Sequence, residues 1–130
     1  MLSDPLADLL TRIRNALSVN KKTVVAPYSQ LKENLVKILV KHTYLKDYQV
    51  TGKVPHKNLE ISLKYSRHKP AITNLTRISK PGVRIYTAVA DLNKIMRGRG
   101  LIILSTSQGI MTAKQAKQKN LGGEIICKVS

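Results

Sequence analysis

Apolar residues recur every three or four positions in two early segments of the chain, and this spacing predicts two amphipathic helices. Ser3, Asp4 and Pro5 are typical of the start of the first helix, and Ser29 is suited to cap the second. The predicted inner face of the first helix is Leu6, Leu9, Leu10, Ile13, Ala16 and Leu17. That of the second is Leu31, Leu35, Ile38 and Leu39, with Lys32 on another face.

Strand patterns separate and follow these helices. Strands are predicted at 23–26, 44–50 and 59–65, the last with strict alternation of apolar and polar residues. Residues 1–65 therefore form an N-terminal module of order α-β-α-β-β. The polar segment 66–70 is the predicted domain boundary.

The remaining residues, 66–130, predict a C-terminal module that is mainly β with a short helix. Strands are expected at 71–79, 83–87, 101–104 and 124–129, with Ile125 and Cys127 on one face of the last strand and Ile126 on the other. A helical turn is expected at 91–96, and a helix capped by Thr112 at 113–120, ending at Gly122 and Gly123. The fold class is thus α+β, built from two small modules. Since about 65 residues support only a marginal core, we expect the modules to pack on each other.

Charge narrows the range of functions. The 130 residues carry 23 Lys and Arg against 7 Asp and Glu, a net charge of +16, while a hydrophobic content of 42% is too high for a disordered basic tail. Residues 61–123 hold twelve basic residues and one acid, Asp91. Because such a segment lacks internal ion-pair partners, we expect the protein to bind a polyanion. Nucleic acid is favoured over an anionic membrane surface. The alternative is a solvated basic face without a partner.

Other classes of protein find little support. No apolar run approaches the roughly 20 residues of a membrane-spanning helix, and no secretory signal opens the chain. The single cysteine, Cys127, suits a reducing compartment and a buried apolar position. His42, His56 and His68 lack the spacing of metal ligands. We therefore predict no enzyme, no metal and no cofactor.

The most informative polar segment is Ser105-Thr106-Ser107-Gln108-Gly109, predicted as a loop directly after a buried strand. Such a loop presents short donors and acceptors on a rigid support. These groups suit sugar hydroxyls, phosphates and base edges in the shallow minor groove of folded RNA. An ordinary Ser/Gly turn is the structural alternative.

Four segments in register over nearly the whole chain resemble the universal small-subunit ribosomal protein eight family. They are residues 4–16 (DPLADLLTRIRNA), 79–86 (SKPGVRIY), 100–117 (GLIILSTSQGIMTAKQAK) and 121–125 (LGGEI). The resemblance implies a structural, non-catalytic protein with two domains. It also implies direct binding to the central domain of small-subunit rRNA early in assembly, with neighbouring ribosomal proteins as further partners.

The resemblance also implies which residues contact RNA. In the C-terminal module they are Ser105, Thr106, Ser107, Gln108, Gly109, Gly123, Glu124, Pro81, Gly82, Arg84 and Tyr86. In the N-terminal module they are Arg14, Asn15, Tyr28, Ser29 and Lys32. Neither a membrane nor a small-molecule substrate is implied.

Gln108 departs from many bacterial members of the family, which carry lysine there. It weakens a phosphate contact at that position and favours a plastid or cyanobacterial type. The expected location is therefore a ribosome in the plastid stroma or the bacterial cytoplasm. The alternative function is a small basic enzyme acting on nucleotides or nucleic acids. It would use residues 105–109 as a phosphate cradle and need Asp91 or Glu124 as its acid.

Overall fold

The computed structural model describes residues 5–98 and 100–130, so the predicted helix-capping residues Ser3 and Asp4 lie outside the described residues. The chain divides into two compact units, one over Pro5–Thr73 and one over Asn74–Ser130. Both contain helices and antiparallel strands, which confirms the α+β class. The predicted boundary segment, 66–70, belongs to a short hairpin of the first unit, tied to the preceding sheet by a hydrogen bond from the amide of Ala71 to the carbonyl of Lys64.

The first unit has two helices and a three-stranded sheet. Its elements are α1 (Pro5–Ser18), β1 (Thr23–Pro27), α2 (Gln30–Lys41), β2 (Leu45–Thr51), β3 (Asn58–Leu63), β4 (Tyr65–Ser66) and β5 (Lys69–Pro70). The sheet has the order β1-β3-β2 and is antiparallel throughout, while β4 and β5 form a separate hairpin. All six apolar residues predicted to form the inner face of α1 are buried.

Helix α2 departs from its predicted inner face. Leu31 is 42% exposed and Ile38 is half-buried, whereas Lys32 and Val36 are buried beside Leu35 and Leu39. Lys32 is buried because its ammonium donates to the carbonyl of Pro27 at 3.0 Å, which leaves its aliphatic stem against apolar neighbours. The predicted N-cap is confirmed, since the Ser29 side chain accepts from the amide of Lys32.

The second unit is built around one strand near the end of the chain. Its elements are β6 (Leu75–Arg77), β7 (Tyr86–Thr87), a 3-10 turn (Val89–Asp91), α3 (Leu92–Ile95), β8 (Leu101–Thr106), β9 (Gly109–Thr112), α4 (Ala113–Gln118) and β10 (Gly123–Val129). Strand β10 pairs with β8 along one edge and with both β6 and β7 along the other. Strand β9 extends the sheet beyond β8.

Two predicted strands of the second unit are shorter than expected. The strand predicted at 71–79 is confined to Leu75–Arg77, and the one predicted at 83–87 to Tyr86–Thr87. In the segment between them, Lys80 and Val83 exchange backbone hydrogen bonds of 3.0 Å around a Pro-Gly turn. Apolar composition overestimated these strands because the Pro-Gly turn and its Lys80–Val83 bridge interrupt the chain between them.

The end of α4 also differs from its prediction. The helix stops at Gln118, and Asn120 takes the left-handed conformation with φ of 56°. The amide of Leu121 then donates to the carbonyl of Ala116 at 2.8 Å, as in a Schellman motif. Asn120, rather than Gly122 or Gly123, therefore terminates the helix. The predicted cap at Thr112 is confirmed, as part of a capping box with Gln115.

A β-bulge changes the predicted alternation in β10. Ile125 pairs with Leu104 while Cys127 pairs with Ile103, so Ile126 is the additional residue of the bulge. Because Leu104 and Ile103 point to opposite faces, so do Ile125 and Cys127, and the prediction that these two share a face is wrong. Ile125, Ile126 and Cys127 are all buried.

One face of this sheet carries a hydrophobic core beneath the short helices. Leu104, Met111 and Ile125 occupy neighbouring register positions on three strands and belong to this core. The cluster consists of Leu92, Ile102, Leu104, Met111, Ala113, Ala116 and Ile125. Because successive strand residues point to opposite faces, Ser105, which follows Leu104, points to the other face.

Candidate nucleic-acid interface

Residues 105–109 form a tight hairpin rather than the predicted loop. Ser105 and Thr106 are the last residues of β8, and Gly109 is the first of β9. Only Ser107 and Gln108 lie in the turn, since Thr106 pairs directly with Gly109. The loop prediction is right for Ser107 and Gln108 and wrong for Ser105 and Thr106, because the ends of strands carry the same polar residues as loops.

The Thr106 hydroxyl is the internal brace of this hairpin. It donates to the carbonyl of Gly109 at 2.9 Å and accepts from the amide of Gln108 at 3.1 Å. Gly109 has φ of 107°, where a side chain would be strained. Within the described part of the chain, the hydroxyls of Ser105 and Ser107 have no hydrogen-bond partner, in contrast to the positioning hydroxyl of Thr106.

A row of side chains crosses the sheet at the base of the hairpin. Tyr86 of β7 pairs with Glu124 of β10, Glu124 with Ser105 of β8, and Ser105 with Ile110 of β9. Directly opposed residues of antiparallel strands point to the same face, so these four side chains form one continuous row. Tyr86 is 69% exposed, which leaves its ring available at the edge of the row.

Glu124 is the single acid in this row, and Arg84 compensates its charge. One guanidinium nitrogen of Arg84 lies 3.4 Å from one carboxylate oxygen of Glu124 and 3.5 Å from the other. The Glu124 side chain is 15% exposed and that of Arg84 47% exposed. The carboxylate is thus held within the sheet while the guanidinium reaches its border. A negative charge in this position is therefore compatible with an anionic partner.

The segment that carries Arg84 is anchored by Ser79, a residue that the sequence analysis did not select. The fully buried Ser79 hydroxyl accepts from the amide of Ile85 at 2.8 Å and donates to its carbonyl at 3.0 Å. The amide of Ser79 donates to the carbonyl of Ile125 in β10 at 3.0 Å. The only indication of this role in the sequence is the serine two residues before Pro81, at the start of the turn.

The glycines of β10 and the 80–83 turn have different roles. A Cβ atom on Gly123 would lie within 2.3 Å of the Ser105 carbonyl oxygen, so Gly123 permits the close approach of β8 and β10. A Cβ on Gly82 meets nothing within 4 Å. Gly82 is exposed and Pro81 half-buried, at the tip of the turn. Gly123 is therefore required for packing, whereas Gly82 is not.

The candidates of the first unit are less uniform. Arg14 and Asn15 are exposed on α1, with the Arg14 guanidinium donating to the Thr11 hydroxyl at 3.1 Å. Ser29 is occupied as the cap of α2, and the buried ammonium of Lys32 is bonded to a carbonyl. The structure therefore leaves Arg14 and Asn15 accessible, while Ser29 and Lys32 serve the local fold.

Tyr28 belongs to a small network around Glu33. Its hydroxyl donates to one carboxylate oxygen of Glu33 at 2.9 Å, and the Tyr48 hydroxyl donates to the other at 3.1 Å. The hydrogen bond to Glu33 is the main reason that the pKa of Tyr28 is raised. The ammonium of Lys57 lies 5.4 Å from the centre of the Tyr28 ring, a cation–π distance. These contacts hold the half-buried Tyr28 at the start of α2.

Cys127 and the acidic residues offer little chemistry. Burial raises the pKa of the Cys127 thiol to about 12, although Arg77 opposes part of this shift. The thiol is thus protonated and unreactive at neutral pH. Among the described residues, no group of three or more His, Cys, Asp or Glu side chains is placed to hold a metal ion. No helix within the described ranges is long and apolar enough to cross a membrane.

Comparison with known proteins identifies the family of the chain. The family model described as ribosomal protein S8 matches residues 4–130. Curated relatives named small ribosomal subunit protein uS8 include those of Halothermothrix orenii, 47% identical over 98% of both chains, and Thiobacillus denitrificans, 44% identical over 99% of this chain and 98% of its own. The relative from Flavobacterium johnsoniae is 47% identical over 99% of both chains. The chain therefore belongs to the ribosomal protein S8 family.

Proposed function

We propose that this protein is a structural component of the small ribosomal subunit that binds the central domain of small-subunit rRNA directly and supports its folding and assembly. The row Tyr86–Glu124–Ser105, with the hairpin beside it, is the observation that carries the proposal. It combines hydroxyls, a carboxylate and an exposed ring on a rigid sheet. RNA offers matching partners in its 2′-hydroxyls, base edges and unstacked bases.

Affinity and recognition are divided between different groups in this proposal. The basic residues of segment 61–123 neutralise phosphates and make binding dependent on salt. Ser105 and Ser107 donate and accept hydrogen bonds without charge, so they contribute choice of site. Glu124 repels phosphate but accepts hydrogen bonds from base amino groups. The second unit is accordingly the main RNA-binding module, with Arg14 and Asn15 of the first unit as secondary contacts.

The nucleotide-directed enzyme is less well supported. A phosphate cradle needs free backbone amides, and the amide of Gln108 already donates to Thr106. Of the two acids that such an enzyme would use, Glu124 is paired with Arg84. We therefore propose a non-catalytic role on the ribosome, of bacterial or plastid type. Salt-sensitive binding of hairpin RNA without turnover of free nucleotides is the result expected from an assay of both ligands.

Backbone footprinting on small-subunit rRNA tests the proposal directly. The expected result is protection confined to one irregular helical region of the central domain, and lost when an excess of that isolated RNA is added. Protection scattered over all domains would mean general polyanion binding. If an excess of inorganic polyphosphate abolished the protection while the isolated RNA did not, the proposal would be overturned in the same way.

A further inference from the structure

A cleft of about 350 Å³ opens in the first unit, outside the interface described above. It is lined by Asn20 and Lys22 from the connection between α1 and β1, and by Tyr65 and His68 from the β4–β5 hairpin. Clefts that hold small ligands begin at about 300 Å³. The cleft is thus large enough for one nucleotide-sized group and too small for a helix of RNA.

Hydrogen bonds to backbone carbonyls hold the walls of this cleft together. Asn20 has φ of 56° and ends α1, which places the amide of Lys21 3.0 Å from the carbonyl of Ala16. The Tyr65 hydroxyl donates to the carbonyl of Lys21 at 2.5 Å. The carbonyl of Lys22 accepts from Leu63 at 2.8 Å. The Tyr65 ring is therefore fixed in orientation before any ligand arrives.

The turn between β4 and β5 has residues that its geometry does not favour. Ser66 pairs with Lys69, so Arg67 and His68 are the two turn residues, and their φ angles are 53° and 68°. A two-residue turn with positive φ at both positions favours Asn-Gly. The backbone at Arg67 and His68 is strained, because residues with a Cβ disfavour positive φ. This cost indicates that the two side chains have a role other than forming the turn.

Positive charge surrounds the cleft without compensation. Residues 61–90 contain no Asp or Glu. Within the described ranges, the side chains of Lys22, Arg67 and His68 have neither a hydrogen bond nor an ion pair. Lys22 and the His68 imidazole line the cleft beside the fixed Tyr65 ring, and the exposed Arg67 is next to His68 in the turn. These groups suit an anionic ligand that also has an aromatic face.

We propose that this cleft takes a single unpaired nucleotide of RNA, with its base stacked on Tyr65, its edge bonded to the Asn20 amide and its phosphate held by Lys22 and His68. Bases that are not paired are commonly recognised by stacking on aromatic side chains. The inference rests on the proposed RNA-binding function, but it concerns a separate surface. It adds a contact to a bulged or looped nucleotide to the contacts made by the sheet.

Titration of the isotope-labelled full chain with a uridine trinucleotide tests this inference by NMR. The expected result is saturable shifts of the amides at 20–22 and 65–69. Inorganic phosphate alone, in a parallel titration, is expected to move fewer of these signals and to bind more weakly. An equal response to phosphate and trinucleotide would reduce the cleft to an anion contact and overturn the base-stacking proposal. So would the absence of shifts in these segments.

Substitutions at Tyr65 separate stacking from structure. Tyr65→Leu removes the ring, and we expect about tenfold weaker binding of the trinucleotide, the range for one stacked base. Tyr65→Phe loses the hydrogen bond to Lys21 but keeps the ring, so its affinity is expected to stay within about twofold of the parent. Equal losses in both variants would show that Tyr65 only supports the fold.

His68→Gly keeps the inference testable if the Tyr65 variants fold poorly. Glycine accepts positive φ readily, so this variant is expected to be at least as stable as the parent yet to bind the trinucleotide about threefold more weakly. Lys22→Gln should also weaken binding, whereas Lys37→Gln, at an exposed position on α2, is the matched control and should not. Unchanged affinity in both His68→Gly and Lys22→Gln would overturn the proposal.

The outcome is distinguishable from a failure of the proposed function. Binding of hairpin RNA by the chain, with no response of the cleft to the trinucleotide, would overturn this inference alone. Loss of hairpin RNA binding, with the cleft still responding, would overturn the proposed function of the sheet.

Discussion

Ser79 and Ile85 are joined by two hydrogen bonds of one buried hydroxyl, which accepts from the Ile85 amide at 2.8 Å and donates to its carbonyl at 3.0 Å. The seven residues 79–85, which contain the Pro-Gly turn, are thereby closed into a loop. The position of Arg84, next to Ile85, depends on this closure. The proposed RNA-binding row thus depends on a side chain that no RNA reaches.

Ser79→Ala removes both bonds, so the Ile85 amide loses its acceptor while the Ile85 carbonyl keeps only the hydrogen bond from the Ile125 amide at 2.8 Å. We expect the free energy of unfolding to fall by about 1–3 kcal/mol. Urea denaturation followed by circular dichroism measures this change. Ser107→Ala removes an exposed hydroxyl instead and should change stability by less than about 0.5 kcal/mol. Equal effects of the two substitutions would contradict the structural role of Ser79.

Gly123→Ala places a methyl carbon only 2.3 Å from the Ser105 carbonyl oxygen, which is a steric clash. The strands β8 and β10 must then separate, and we expect a loss of about 1–3 kcal/mol of stability, together with weaker RNA binding. Gly82→Ala is the matched control because its Cβ meets open space and its φ is not positive. Thermal melts of both variants check the prediction, and a Gly123 variant as stable as the Gly82 variant contradicts it.

The combined substitution Ser105→Ala and Ser107→Ala separates recognition from charge. Binding to the cognate RNA should weaken, while the slope of log affinity against log salt stays as it is. Lys119→Gln, at an exposed position after α4, should instead flatten that slope by about 0.7–0.9 units if Lys119 contacts a phosphate. Filter binding over a range of salt concentrations measures both effects. Equal losses for cognate and scrambled RNA in the double serine variant would argue against recognition by the hairpin.

Glu124→Ala tests the acid in the row. We expect a loss of affinity for cognate RNA of about 1–3 kcal/mol, the range for one specific contact to a base edge. Its effect on stability should be small, about 1 kcal/mol or less, since the partner Arg84 is half exposed. A calorimetric titration with hairpin RNA measures the affinity. An increase in affinity would mean that Glu124 only repels phosphate.

Cys127 gives a prediction for pH and for thiol reagents. Burial raises the pKa of the Cys127 thiol from its ordinary value of about 9 to about 12. The folded chain therefore keeps the proton in a pH range where the unfolded chain releases it. Stability should fall as pH rises from about 9 towards 12, because the folded state binds more protons there. At neutral pH, alkylation should be slow in the folded protein and fast in urea, and equal rates would contradict the burial of this thiol.

Periodicity predicted the inner face of helix α1 accurately, since all six residues assigned to that face are buried. In α2 it was right for Leu35 and Leu39 but wrong for Leu31, which is exposed. Lys32 is buried instead, with its ammonium bonded to the Pro27 carbonyl. No pattern in the sequence contains that contact, since it depends on where β1 ends relative to the helix. Local spacing therefore predicts which segments are helical more reliably than which side each presents to the core.

The candidate interface was predictable in its parts but not in its order across the sheet. The hydroxyl segment was identified by its polar residues after a buried strand, and the Pro-Gly turn by its composition. The pairing of Glu124 with both Tyr86 and Ser105 depends on strands separated by up to 38 positions in the chain, a register that composition does not encode. The bulge at Ile126 was not predictable either, since the apolar pattern of the strand indicated regular alternation of its side chains.

The central position of β10 has a consequence for the time at which each unit folds during synthesis. The three-stranded sheet of the first unit is complete once Leu63 has been made. In the second sheet, β8 can pair with β9 earlier, but β6 and β7 have no partner until residues 123–129 emerge. Since chains are made from the N-terminus and domains fold as units, the first unit is expected to be folded while the second is still being translated. The proposed RNA-binding row thus forms only after β10, which follows every other strand of its sheet along the chain, has been translated.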